Sequence, residues 1–263
     1  MKNNLHTMKN YKLIMEDIKF LPRSIIRLQL LKSLYNEPQD MKQLNNETKL
    51  NYSAISTNMH LLESKGYIYK QDNKYFLSNS MRIFMNNCID LGKLFNVLDE
   101  FFYIFNQHII KSIPIESILD IHNLENAFLI ENDEFNPYKI YNFIENSIKK
   151  AKFLNGIIPF YYKDLDIYLN NLAKKNRKIN LLVPFNIRQV FTPSVDNKNN
   201  FHLKYYNGGT SYPFLLIYTD KSIIFGLFKE DGVFDQNRIL TSNNASCINW
   251  GKNLFDNFKK EVI

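Results

Sequence analysis

Between residues 51 and 77 the apolar side chains change period once, and that change limits what this part of the chain can become. Ile55, Met59 and Leu62 recur at helical spacing, Asn51 suits the start of a helix and Gly66 its end. After Gly66, Tyr67-Ile68-Tyr69-Lys70 and Lys74-Tyr75-Phe76-Leu77 read as two short strands around Gln71-Asp72-Asn73, a hairpin. Upstream, Pro22 suits a first helical turn, and Ile25, Ile26, Leu28, Leu31 and Leu34 make an inward stripe up to Tyr35. Glu37-Pro38 breaks that helix, and Asp40 caps a second one from Met41 to about Lys49, with Met41 and Leu44 inward. Three helices and a hairpin in this order predict a winged helix-turn-helix.

Charge bears on what such a unit meets. The chain has 33 basic and 26 acidic residues, a net +7. Residues 1–78 hold 12 basic against 7 acidic side chains, a balance of +5, and the remaining 185 hold 21 against 19, a balance of +2. A concentrated positive field favours a polyanion, although five net charges also serve ordinary solubility. The outward stripe of the third helix is Tyr52, Ser53, Ser56, Thr57 and His60, short or hydrogen-bonding side chains with no carboxylate among them. Such a face can approach phosphates and base edges without repulsion. Lys42, Lys49, Lys70 and Lys74 are the expected phosphate contacts.

The stretch from 22 to 77 resembles the winged-helix domain of bacterial and archaeal transcription regulators. There the third helix runs out in a pattern that stands here as Leu62-Glu63-Ser64-Lys65-Gly66-Tyr67-Ile68. The resemblance implies helix three in the major groove of double-stranded DNA, with the wing near the backbone. A winged helix used for protein contacts is the alternative. Helix three carries no Arg or Lys before Lys65, so bidentate reading of guanine is unavailable, and A/T-rich or shape-led targets are expected.

From 79 to about 111 no proline occurs, and only Gly92 interrupts a broad apolar stripe of Ile83, Phe84, Cys88, Leu91, Leu94, Phe95, Leu98, Phe101, Phe102, Phe105 and Ile109. The stripe suits a homodimer interface, packing on the chain's own C-terminal domain, or both. Cys88 on it reads as a small apolar residue. Phe105-Asn106-Gln107-His108-Ile109-Ile110-Lys111-Ser112-Ile113-Pro114 resembles a segment of an archaeal winged-helix regulator family, best represented in methanogens, that includes the filament-formation regulators. That resemblance implies a C-terminal output or sensor domain. Ser112 stands where glycine is common, and His108 suits either a ligand or a capping or core role.

The C-terminal half alternates strands and helices. Strands are expected at 127–130, 153–158, 179–183, 201–206, 214–218 and 223–228, and helices at 137–150, 165–175 and 245–262. The alternation predicts a largely parallel sheet with crossover helices, the strands 201–206 and 214–218 flanking Asn207-Gly208-Gly209, and a hairpin at Asp220-Lys221. The arrangement resembles one lobe of the phospholipase D-type fold, whose enzymes need His-x-Lys-x-x-x-x-Asp. His202-Leu203-Lys204 offers the first part, but Gly209 stands where the Asp should be; anchoring on Asp220 instead places Pro213 and Leu215 at the His and Lys positions. The lobe is expected to be catalytically dead and the protein not an enzyme.

The five histidines are scattered, and no phosphate-binding glycine loop or nucleophile elbow occurs, so no metal or cofactor is expected. In open α/β sheets ligands bind beyond the carboxyl ends of strands, where Pro159, Phe160, Tyr161, Phe185, Asn186 and Arg188 fall, with Tyr212 nearby. A small-molecule effector is expected there, Arg188 facing an anion, unless these are ordinary scaffold residues. The expected organisation is a two-domain α+β or α/β protein: a winged helix at 1–78, a helical linker at 79–113 and a mixed α/β sensor domain at 114–263. Two cysteines, a polar start and apolar runs far below the ~20 residues of a membrane span suggest a soluble, cytoplasmic protein.

Overall fold

The computed structural model describes residues 19–161, 163–189, 200–207 and 213–262. The chain forms two compact units that divide between Asp90 and Leu91.

In the first unit, α1 (Ile25–Asn36) starts one turn later than Pro22 implies, because the Ser24 hydroxyl accepts from Arg27 N at 3.3 Å and caps it. Ile25 is therefore at the helix start and 74% exposed, not inward; Leu30, Leu31 and Leu34 take the core. Helix α2 (Met41–Thr48) opens in a reciprocal capping box between Asp40 and Gln43. Helix α3 (Tyr52–Ser64) is capped by Asn51, whose side chain accepts from Ala54 N at 2.8 Å. Ile55, Met59 and Leu62 are buried against Leu30, Leu31, Leu34 and Leu44, as their spacing requires. Strands β1 (Ile68–Gln71) and β2 (Lys74–Leu77) pair antiparallel with Gln71 opposite Lys74. Asp72 and Asn73 close the hairpin with φ of 48° and 64°, the left-handed pair whose twist matches the strands. The unit is a three-helix bundle with a two-stranded wing.

The Glu47 carboxylate ties α2 to α1 by accepting from the Ser33 hydroxyl and the Gln39 amide. These two hydrogen bonds hold it below the usual carboxylate range. A carboxylate depressed by folding stabilises the protein above its unfolded value, about 4.3, and that contribution is lost as pH falls through the folded value. Glu47 is solvent-exposed, so the effect is expected to be about 1 kcal/mol at most. In thermal melts from pH 7 to pH 3, Glu47→Gln should be less stable than the parent at pH 7 and match it near pH 3.

Helix α4 (Asn79–Glu100) contributes to both units. Gly92 does not interrupt it; the break comes at Phe101 (φ −110°, ψ 23°), after which α5 runs from Phe102 to Gln107. The broad apolar stripe divides. Met81 and Met85 are buried in the first unit, and Val97, Phe101 and Ile104 in the second, so the expected linker is shared between two cores. Ile83, Leu91, Phe95, Leu98 and Phe102 are exposed, contrary to a fully inward stripe. A helix buries only one side, and this one is apolar on more than one side.

After α6 (Ile115–Leu119), the second unit is built on seven strands: β3 (Phe128–Glu131), β4 (Phe153–Ile157), β5 (Lys178–Pro184), β6 (Phe201–Tyr206), β7 (Leu215–Thr219), β8 (Ile223–Gly226) and β9 (Arg238–Ser242). Their order is β3-β9-β8-β7-β4-β5-β6. Only β4, β5 and β6 are parallel; the other neighbours are antiparallel, which corrects the expectation of a largely parallel sheet. Strands β6 and β7 are not neighbours. All five residues of β7 are buried, which fits a central position between β4 and β8, whereas β6 alternates exposed and covered residues, as an edge strand does.

Helices α7 (Lys139–Lys149) and α8 (Lys163–Lys174) contribute Ile140, Ile144, Ile148, Leu165, Leu169 and Leu172 to one core of this unit. Helix α9 (Ala245–Val262) contributes Trp250, Leu254, Phe255 and Phe258 to the other. Gly251 lets α9 approach β8, since a Cβ there would lie 2.5 Å from Ile223 Cδ1. In the parallel part of the sheet Asn155 and Asn180 stand in register, and the Asn180 amide donates to the Asn155 side-chain oxygen.

Candidate functional site

The buried stripe of α3 fixes which side faces out. Tyr52, Ser53, Ser56, Thr57 and His60 are all exposed, Tyr52 at 51%, and they form one flank with no carboxylate among them, Glu63 following on the same side at its far end. The four flanking lysines, Lys42 on α2, Lys49 at its end, and Lys70 and Lys74 on the wing, are also exposed. Lys49 adopts the left-handed conformation at the α2 C-cap (φ 59°), where glycine is the low-cost residue, so a cation occupies the turn leading into α3. Lys70 lies over the Tyr75 ring at 5.3 Å, leaving Lys74 at the wing turn.

Two further cations of this unit are held by the fold. Arg27 sits 4.0 Å from the Phe20 ring centroid and donates to Asn58 Oδ1 at 3.2 Å, and Lys65 lies 4.8 Å from the same ring. Sequence spacing could not place them, because Phe20 lies far from Lys65 along the chain.

The second unit places its expected site residues in separate surroundings. Phe160 stacks at a tilt on Phe234, 4.4 Å between centroids, and with Tyr161 packs on the core beneath α7 and α8. Phe185 and Arg188 gather round Tyr205, the guanidinium 5.4 Å from its ring, and Asn186 is exposed beside them. Tyr212 and Gly209 lie outside the described residues. His202 and Lys204 are both exposed on β6.

His108 belongs to the interior. Its Nδ1 is 2.7 Å from Ile104 O and its Nε2 is 3.0 Å from Asp235 Oδ2, with both side chains 2% exposed. Of the two roles open to this histidine, the geometry gives the core one. Phe105, Ile113 and Pro114 of the same segment are covered or buried as well, so the motif secures α5 to the sheet unit.

A cleft of about 510 Å³ opens at the carboxyl end of β4, lined by Tyr138, Tyr141, Glu145, Asp164, Tyr168 and Gln236. Burial, aided by the Glu145 carboxylate, pushes the Tyr168 phenol up to about 12. The sequence signal that could have found it is Tyr138 and Tyr141 at helical spacing, read above as part of an ordinary helix. Among the described residues no three His, Cys, Asp or Glu side chains are gathered to hold a metal ion, and no helix is long and apolar enough to cross a membrane.

Comparison with known proteins bears on the second unit. Residues 137–261 match the family profile described as the middle domain of methanogenesis regulatory protein FilR1. This segment is similar to a FilR1 middle domain. The matched residues hold strands β4 to β9, helices α7 and α8 and all but the last residue of α9. Methanogenesis regulatory protein FilR1 of Methanothrix harundinacea (strain 6Ac) is 23% identical over 255 residues, which covers 91% of this chain and 56% of that protein. The chain thus spans little more than half the length of that curated relative.

Among solved structures, TrmBL2, an archaeal chromatin protein, aligns over 91% of this chain and 94% of its own at 10% identity and a TM-score of 0.40. An IclR transcriptional regulator from Alicyclobacillus acidocaldarius aligns over 89% and 93% at 9% identity and a TM-score of 0.24.

Proposed function

We infer that the protein is a transcription regulator whose first unit binds double-stranded DNA through α3. The observation that carries this reading is the exposed flank of Tyr52, Ser53, Ser56, Thr57 and His60, with no carboxylate before Glu63 at its far end and bordered by Lys42, Lys49 and Lys74. In the major groove these side chains would meet base edges while the lysines meet phosphates. The FilR1 relative, described as a methanogenesis regulatory protein, supports a regulatory role. The second unit is then the sensing part, and the exposed Arg188 guanidinium between two rings suits an anionic effector.

Fluorescence anisotropy against mixed-sequence duplexes tests the reading. Binding should weaken steeply with salt. Lys74→Ala should weaken all duplexes alike and lower the log–log salt slope by about one, whereas His60→Ala should act on some sequences more than others. Salt-independent binding, or none, would instead favour a winged helix that contacts protein.

On α4 the exposed Leu91, Phe95 and Leu98 recur at intervals of four and three, the 3.5-residue period of a helix paired with its own copy. We assign the homodimer contact to this row. Phe95→Asp should convert a dimer to a monomer in sedimentation velocity while leaving the helical content unchanged.

A further inference from the structure

Seven cations of the second unit stand at one end of it. Helix α7 closes on Lys149-Lys150 and Lys152 leads into β4, while α8 closes on Lys174-Lys175 and Arg177-Lys178 lead into β5. Strands β4 and β5 are parallel neighbours with Phe153 opposite Lys178, so both helix–strand turns lie at the amino ends of these strands. A groove of about 500 Å³ brings Lys149, Lys174 and Lys175 together around Asn171. All seven side chains are exposed. Residues 149–152 and 174–178 hold no carboxylate, and without these seven the stretch 79–263 has 14 basic residues against 19 acidic ones. A part of the chain that is otherwise net negative has gathered positive charge in one place.

Lysines at a helix C-terminus also complement the macrodipole, but that effect is confined to the last turn, and Lys152, Arg177 and Lys178 lie beyond it. Lys149 pairs with Glu145 and lies 5.7 Å from the Tyr168 ring. Among the described residues the other six make no ion pair. At the same end the Asp220 carboxylate accepts from Lys152 N at 2.7 Å, and Lys221 follows it. The Asn200 amide donates to Ala173 O at 3.2 Å and Arg177 O at 2.8 Å, which fixes the second turn. No large apolar side chain is exposed in either turn. Protein interfaces deplete lysine and use apolar or aromatic anchors, and a helix lying on a membrane needs an apolar face. A phosphate backbone requires only cations.

We propose that this end of the second unit is a second contact with double-stranded DNA, made to the phosphate backbone and blind to sequence. The choice of DNA as the polyanion rests on the regulator reading above, whereas the positive surface does not. Arg188 follows the carboxyl end of β5, so the effector surface and this contact use opposite ends of one strand.

The test combines Lys150→Gln, Lys152→Gln, Lys174→Gln and Lys175→Gln in the full chain. Fluorescence anisotropy is measured against two long duplexes of unrelated sequence and against poly-L-glutamate. The variant should keep the parent's unfolding temperature, bind both duplexes at least about tenfold more weakly at low salt, and lower the log–log salt slope by about two to four. A control with Lys204, Lys229, Lys252 and Lys260 changed to Gln removes the same charge from elsewhere in the unit, and its slope should stay within about one of the parent's. Equal losses for the two variants would overturn the proposal, because net charge and not a contact would then be acting. So would parent-like duplex binding by the first variant, or a loss confined to one duplex. A loss confined to poly-L-glutamate overturns it in favour of an acidic protein partner. If the first variant loses binding while His60→Ala acts on every duplex alike, this contact stands and the α3 reading falls. A parent that binds neither duplex sinks both.

Discussion

Ser56→Glu combined with Thr57→Glu is expected to weaken duplex binding on the order of 100-fold or more, because like charges pressed together at an interface cost several kcal/mol. Both side chains are exposed on the α3 flank, and neither makes a hydrogen bond that the fold needs, so the double variant should keep the parent's circular dichroism and melting temperature. Placement is what gives the experiment its force. Glu63 already stands on the same side of α3, three residues beyond His60 at the far end of the helix, and Glu47 lies on α2, so acidity in this unit as such is tolerated. If the double glutamate binds duplexes as the parent does, α3 does not enter a groove. Retained binding that is still sensitive to salt would then point to the wing and α2 as the contact.

His108→Ala should destabilise the second unit by about 1–3 kcal/mol, the usual cost of leaving a buried polar group without its hydrogen-bond partner. Both ring nitrogens face oxygens, Ile104 O at 2.7 Å and Asp235 Oδ2 at 3.0 Å. Truncation leaves the Asp235 carboxylate buried with Asn237 N, which donates to Oδ1 at 3.0 Å. Asp235→Asn should cost much less. A neutral imidazole with its proton on Nδ1 still donates to Ile104, and its Nε2 can accept from the new amide. Urea unfolding of the two variants and of the His108→Ala, Asp235→Ala double variant separates these effects. A loss for His108→Ala no larger than for Asp235→Asn would mean that the ring's hydrogen bonds do not hold the segment.

The local layout of the first unit was legible because its determinants are close in sequence. Asn51 and Gly66 bracket α3, and Asp72-Asn73 specifies the hairpin turn, each through contacts within a few residues. The start of α1 was misjudged by one turn, since Ser24 competes with Pro22 for the boundary and a hydrogen bond decides it.

In the second unit most helices and strands were readable, and the closing helix at 245–262 matches α9 in both bounds. Strand order was not. Strand β7 leaves β6 and inserts between β4 and β8, a choice made by burial on both faces that neighbouring residues do not encode. Strand β9 was missed because Arg238-Ile239-Leu240-Thr241-Ser242 follows a run of turn residues and reads as the end of a loop. The two buried hydroxyls of Ser112 and Tyr206, unpartnered among the described residues, were unreadable for a similar reason. A missing hydrogen-bond partner is a property of the fold, and Ser112 and Tyr206 are 94 residues apart in sequence (206 minus 112).

The matched amides of Asn155 and Asn180 have a consequence for how this sheet assembles. Strands made almost wholly of leucine, isoleucine and valine could slide past one another by two residues and still bury the same hydrocarbon. A slip of two residues would set Asn155 opposite Leu182 and Asn180 opposite Phe153, or Asn155 opposite Lys178 and Asn180 opposite Ile157, and either way the amide–amide hydrogen bond is lost. The pair therefore penalises every alignment but one, and trades a little cohesion for a single answer.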